Sequence, residues 1–160
     1  MSEASERIVI TNHSQGDYPV VMRSGALGEL ASHLPGDARK ILIIHAPALA
    51  TVAQRLREEL SADREIFLVE VPDAEGAKRA EVASFCWGIL GQLDFHRNDA
   101  IVSLGGGATT DLAGFVASTW LRGVPIIHVP TTVLAMVDAA IGGKTGINTT
   151  EGKNLVGTFY

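Results

Sequence analysis

Between Lys40 and His45 the chain reads Ile41-Leu42-Ile43-Ile44, with no polar residue among the four. A strand with one wet face alternates apolar and polar side chains, so a run without alternation must be covered on both faces. That demand is met by a parallel sheet sandwiched between helices. Ile66–Val71, Ala100–Leu104 (AIVSL) and Ile126–Val129 (IIHV) read as further strands of this kind, and Arg7–Thr11 and Tyr18–Met22 as two earlier strands. Helical spacing lies between them. Leu49, Val52, Ala53, Leu56 and Leu60 share one face, as do Val82, Phe85, Cys86, Ile89, Leu90 and Leu93. Thr109–Leu121 reads as a third helix with Gly123 suited to its C-terminal cap, and Val133–Ile141 also has a helical pattern. Strand–helix alternation implies right-handed βαβ units, an α/β fold with a Rossmann-like parallel sheet and flanking helices. Ligands of such sheets bind at the carboxyl ends of the strands.

Composition narrows the class. The 160 residues suit one α/β domain over residues 1–160, and 46% apolar residues exclude a disordered chain. The single cysteine, Cys86, allows no internal disulfide and suits a reducing compartment; its place on an apolar helical stripe makes it a core residue. A net charge of −5 disfavours general nucleic-acid binding. The opening Met1-Ser2-Glu3-Ala4-Ser5-Glu6 is polar and acidic, unlike a secretory signal, and no apolar run approaches the ~18 residues of a membrane helix. The expectation is a cytoplasmic protein with no membrane or nucleic-acid partner. Charge is unevenly spread: of the 31 formal charges, only Asp99, Asp111, Arg122, Asp138, Lys144, Glu151 and Lys153 fall after residue 98, in a stretch that holds 10 of the 17 glycines. A charge kept in so apolar a segment is expected to have a job.

Two glycine motifs stand in that segment. Ile101–Leu104 runs into Gly105-Gly106-Gly107-Ala108-Thr109-Thr110-Asp111 and then a helix. A strand, a glycine turn and a helix N-terminus let backbone N–H groups approach a phosphate. The dinucleotide fingerprint is only partly met, because Thr110 stands where its third glycine belongs and no acidic residue lies between Asp111 and Asp138. Asp111 adds negative charge at the helix start, so Thr109, Thr110 or Asp111 acting as a plain helix cap is the alternative. Gly142-Gly143-Lys144-Thr145 looks like the tail of a P-loop, but the glycine that motif needs is Asp138, and no strand precedes it. What remains is Asp138 and Lys144 in a glycine-rich setting with Lys153-Asn154 beyond: either a grip for a small polyhydroxylated anion or a structural ion pair. The histidines His13, His33, His45, His96 and His128 form no cluster with metal-ligand spacing, and His128 reads as a satisfied core residue. Trp87 and Trp120 read as packing residues.

Ser103–Phe115 (SLGGGATTDLAGF), Val129–Asn148 (VPTTVLAMVDAAIGGKTGIN), Gly152–Tyr160 (GKNLVGTFY) and the loop Pro72-Asp73-Ala74-Glu75-Gly76-Ala77-Lys78 occur in that order. Together they resemble the 3-dehydroquinate synthases, and with Trp120-Leu121-Arg122-Gly123 they look most like actinobacterial members. The resemblance implies the N-terminal NAD-binding half of a cyclase that converts 3-deoxy-arabino-heptulosonate 7-phosphate to 3-dehydroquinate and phosphate, with NAD⁺ used and regenerated. It implies that Asp73, Glu75 and Lys78 lie on the adenosine side of NAD, that Gly106, Gly107 and Asp111 form its cradle, and that Thr131, Thr132, Lys144 and Lys153 contact it. It implies substrate or catalytic roles for Arg122, Asp138, Lys144 and Asn154. The family's zinc or cobalt ligands sit in a helical C-terminal domain, of which this sequence contains nothing. The implied partners are a small phosphorylated sugar acid and, at full length, a second copy in a homodimer. Residues 1–160 alone are then expected to be inactive. The family often has an acid or Asn after the strand matching Ile41–Ile44, where this chain has His45-Ala46-Pro47. Other sugar-phosphate cyclases or polyol dehydrogenases of the superfamily, and a stand-alone nucleotide-binding module, are the alternatives. Leu155–Tyr160 looks like a strand cut mid-course.

Overall fold

The computed structural model describes residues 6–10 and 16–160, so Thr11 and His13 lie outside the described residues. Contacts divide the chain into two compact units, one up to Leu34 and one from Pro35 to Tyr160. In the first, β1 (Glu6–Ile10) pairs antiparallel with β2 (Tyr18–Met22), and a single helical turn, α1 (Leu30–His33), follows.

The second unit holds the sheet. Its strands are β3 (Lys40–His45), β4 (Glu65–Glu70), β5 (Ala100–Gly105) and β6 (Ile126–Pro130), all parallel, in the order β4-β3-β5-β6. The crossovers are α2 (Ala50–Leu60), α3 (Ala80–Gln92) and α4 (Gly107–Thr119). The expected α/β architecture is present, and its reason is visible in β3: Ile41, Leu42, Ile43 and Ile44 are all fully buried. Leu42, Ile44, Val69, Val71 and Ile101 share a core with Ala83, Cys86 and Leu90 of α3 and with Leu112, Ala113 and Val116 of α4. Side chains alternate across a strand, so Ile41 and Ile43 face the opposite side; α2 buries Ala53, Leu56 and Leu60. The chain leaves β3 toward β4 and then returns past it to β5. Strand order therefore reverses between β3 and β5, and the carboxyl ends of those strands form the crevice where such sheets bind ligands.

One retained charge has a purely structural job. Buried Asp99 accepts backbone N–H groups from Arg39 (3.2 Å), Lys40 (2.9 Å) and His96 (2.7 Å), which pins the start of β3 to the turn before β5. Cys86 is fully buried, and desolvation lifts its thiol to about 12. The indole N–H of Trp120 donates to Phe95 O (3.2 Å) and that of Trp87 to Thr119 Oγ1 (3.1 Å), so both tryptophans pack as expected.

Three expectations are corrected. Phe85, which helical spacing assigns to the apolar stripe, is 54% exposed, because Ala83, Cys86 and Leu90 face the core instead. The third helix starts two residues earlier and ends at Thr119; Trp120–Arg122 is a tight turn with Leu121 at φ 50° and Arg122 at φ 65°, and Gly123 (φ 121°) closes that turn rather than α4. The Val133–Ile141 helix shrinks to α5 (Val133–Val137), which stops at Asp138. A strand that periodicity does not mark, β7 (Lys144–Thr149), pairs antiparallel with β8 (Gly152–Phe159).

This hairpin lies on α4 with no space between them. A Cβ at Gly114 would stand 2.4 Å from Thr145 Cγ2 and 3.6 Å from His128 Cε1. Gly114→Ala is therefore expected to cost about 1–3 kcal/mol from overpacking, and Thr145→Ser in the same chain to return part of it, in urea denaturation. His128 is satisfied: its Nδ1 shares a hydrogen bond of 2.8 Å with the hydroxyl of fully buried Ser103, directly across the sheet. Burial pulls its pKa from 6.5 down to about 4. The unfolded chain then takes up a proton before the folded one does, so the neutral ring's contribution is complete above pH 6.5 and is lost as pH falls toward 4. We expect about 1–3 kcal/mol of stability to vanish over that window, and His128→Gln to flatten it in denaturation curves taken at several pH values.

Candidate active site

The turn after β5 forms the floor of the site. A Cβ at Gly105 would stand 2.7 Å from Thr109 Cβ and Oγ1, so only glycine lets the strand run directly into α4. Gly106 is the N-cap residue of α4, and no side chain caps that end. The cap alternative therefore fails: Thr109 and Thr110 are buried, the Thr110 hydroxyl donates back to Gly106 O (3.1 Å), and Asp111 turns elsewhere. An uncapped helix start of this kind presents free N–H groups and a positive dipole end beside half-buried Gly106 and Gly107. Next to it, Thr131 N donates to Gly105 O (2.9 Å), and Thr132 Oγ1 accepts Ala135 N–H (3.2 Å) to cap α5, with both threonines exposed.

Asp111 and Lys78 meet at the centre. The Lys78 ammonium, 5% exposed, forms an ion pair with Asp111 and also donates to Asn154 Oδ1. Burial pushes the Asp111 carboxyl above its ordinary range; Lys78 opposes this, while the charges of Asp138 and Glu75 add to it. One lysine thus joins the loop after β4, the glycine-turn helix and the β7–β8 hairpin. The family resemblance implies a cofactor role for Lys78 and Asp111 and a substrate role for Asn154; the fold brings all three together.

Around this centre, Glu75 accepts from Asn148 Nδ2 (2.7 Å) and lies 3.7 Å from Lys153 Nζ. The Asn148 amide, more than the lysines, holds the Glu75 carboxyl below its ordinary value. Asp73 accepts Ala74 N–H (2.8 Å) and shapes the turn that carries Glu75. Asn154 adopts φ 56°, a left-handed conformation that Asn tolerates better than most residues. Asp138 ends α5 with its side chain exposed, close enough to Asp111 to act on its charge. Lys144 opens β7, also exposed, and no ion pair joins it to Asp138.

Arg122 stands apart. It lies in the turn before β6, at the amino ends of the strands, separated from the glycine turn by the length of α4, about 20 Å. His45, at the end of β3, is buried, with Nδ1 3.0 Å from Ala46 O. Among the described residues no group of three or more His, Cys, Asp or Glu side chains could hold a metal ion, and no helix is long and apolar enough to cross a membrane. The residue that sequence reasoning missed is Asn148, whose only signal was its place inside a recognisable motif.

Removing the central cation tests this arrangement. Lys78→Met leaves the Asp111 carboxylate and Asn154 Oδ1 without their partner, and is expected to cost about 2–4 kcal/mol in urea denaturation at pH 7. A carboxyl whose native pKa lies above its unfolded value destabilises most when ionised, so the deficit should shrink as pH is lowered.

Residues 68–160 match the family described as 3-dehydroquinate synthase N-terminal. A 3-dehydroquinate synthase of Leifsonia xyli subsp. xyli is 62% identical over 143 residues, which is 89% of this chain and 40% of that protein. In the 2-deoxy-scyllo-inosose synthase structure complexed with carbaglucose-6-phosphate, NAD⁺ and Co²⁺, the TM-score is 0.86 at 25% identity over 98% of this chain and 42% of that one. ValA, a 2-epi-5-epi-valiolone synthase of Streptomyces hygroscopicus subsp. jinggangensis with NAD⁺ and Zn²⁺ bound, aligns at a TM-score of 0.75 and 32% identity over 94% of this chain and 42% of that one. The chain spans less than half the length of the curated relatives it matches. With its glycine turn, its lysine-centred cluster and its hairpin all inside the matched residues, the chain belongs to the 3-dehydroquinate synthase family, through that family's N-terminal part.

Proposed function

We propose that this chain supplies the NAD-binding half of a 3-dehydroquinate synthase, which converts 3-deoxy-arabino-heptulosonate 7-phosphate to 3-dehydroquinate and phosphate in the cytoplasm. The observation that carries the reading is Lys78 joining Asp111 of the glycine-turn helix to Asn154 of the hairpin, because it sets cofactor and substrate groups in one place. The residues present fit NAD. The uncapped start of α4 with Gly106 and Gly107 suits its diphosphate, the exposed Thr131 and Thr132 line the same rim, and Glu75 and Lys153 offer a hydroxyl acceptor and a cation. When bound, NAD⁺ supplies a reversible hydride acceptor. Asp111, already paired with Lys78, would accept from neutral hydroxyl or amide groups rather than face a phosphate.

On the substrate side, Asp138 would accept a ring hydroxyl, Asn154 would orient the ring, and Lys144 with Lys153 would draw in the phosphate and carboxylate. Arg122 is out of reach of a ligand at the glycine turn of its own chain. Its role on substrate is consistent with a homodimer in which a second copy presents it. No described group here suits the family's divalent zinc or cobalt, so its ligands would come from the helical C-terminal half of the enzyme. Neither a membrane nor a nucleic acid enters the scheme.

The neighbouring sugar-phosphate cyclases favour a second reading, a sister cyclase with the same cofactor half. A substrate panel on the enzyme that carries this chain separates the two: phosphate released from the heptulosonate phosphate supports the first, and turnover of another sugar phosphate alone overturns it. Residues 1–160 by themselves should release none. In the enzyme, Asp138→Ala should lower turnover by at least 100-fold while NAD⁺ affinity changes less than about 3-fold, read by phosphate release and cofactor titration.

A further inference from the structure

We propose that Asn148 is a positioning residue that locks the Asp73–Lys78 turn to the β7–β8 hairpin, so that Glu75 and Asn154 are set by a single side chain. The inference rests on the cofactor and substrate reading above and deepens it. Asn148 sits where the β7–β8 register shifts, between the pairs Ile147↔Val156 and Thr149↔Gly152, so the ladder does not claim its polar groups. Such irregularities re-aim side chains beside functional sites. Three of its groups are instead spent on the site. Its backbone N–H donates to Lys78 O (2.7 Å), its Oδ1 accepts Asn154 N–H (3.0 Å), and its Nδ2 donates to Glu75 Oε2 (2.7 Å). The two side-chain bonds fix the amide orientation, since only the oxygen can accept an N–H and only the nitrogen can donate to a carboxylate. The Asn154 bond matters because that residue holds a left-handed backbone at φ 56° while its side chain reaches Lys78. Asn148 therefore supports from behind what Lys78 grips from the front.

The two arms can be cut separately. Asn148→Asp keeps an oxygen for Asn154 N–H, loses the donor to Glu75 and puts a second carboxylate against it. Asn148→Ala cuts both arms. In the enzyme that carries this chain, Asn148→Asp should weaken NAD⁺ binding about 10-fold at pH 8 with KM for the heptulosonate phosphate changed less than about 3-fold. That weakening should shrink toward pH 5, as a proton shared by the two carboxyls restores a hydrogen bond. Asn148→Ala should weaken NAD⁺ and also raise KM about 10-fold, and Asn154→Ala added to it should raise KM by less than it does alone. Titration of the Glu75 carboxyl by NMR should move upward in Asn148→Ala with no ligand present. The proposal is overturned if the two variants change both constants alike, if the Asn148→Asp effect is independent of pH, or if the Glu75 titration stays in place. Wild-type enzyme that neither binds NAD⁺ nor releases phosphate overturns the functional reading itself, and that outcome is visible before any variant is made.

Discussion

The site depends on one buried cation. Lys78 leaves the loop after β4 and enters a region where burial alone would penalise its charge. It is tolerated there because Asp111 supplies an opposite charge and Asn154 an oxygen. Pairing works in both directions, since Asp111 is also disfavoured as a carboxylate by burial and by the charges of Asp138 and Glu75. Three segments far apart in the chain are thereby held to one point. No single segment forms the site alone, and separating the loop from α4 leaves Lys78 and Asp111 each without its opposite charge.

Close packing makes that meeting possible. Gly105 lets β5 pass straight into α4, and Gly114 lets the hairpin lie against α4 with Thr145 in the space a side chain would take. The helix that carries Asp111 thus packs at Gly114 against both β7 and the sheet strand that carries His128. His128 and Ser103 complete the contact with a hydrogen bond inside the sheet, which spares a buried imidazole from being left unsatisfied. Stability and site geometry share the same glycines, so substitutions meant for one act on both.

How far the sequence could be read depended on the kind of signal. The parallel sheet was legible, because Ile41–Ile44 can be buried only between two layers. The glycine turn was legible as a strand running straight into a helix N-terminus, although the partial fingerprint left a plain helix cap open until α4 was seen to start uncapped. The roles of Asp73, Glu75, Lys78, Asp138 and Asn154 came from motif resemblance, not from spacing. Phe85 misled because helical spacing marks a stripe without saying which edge of it meets the core. β7 went unmarked because Lys144–Thr149 has no alternation that separates a strand from a loop, and it is a strand only through its pairing with β8.

The sequence by itself determined the fold class, the family, and the residue types available to the proposed cofactor and substrate. Those properties are written in local order: runs of apolar residues, glycines next to strands, and motifs of fixed spacing. Tertiary structure alone decided that Lys78 answers Asp111 and Asn154 at once, that Asn148 ties two loops together, and that Arg122 stands at the far end of α4. These facts depend on which side chains meet across 33 and 76 residues of chain. Such meetings follow from how helices and strands pack, and local order does not specify that packing.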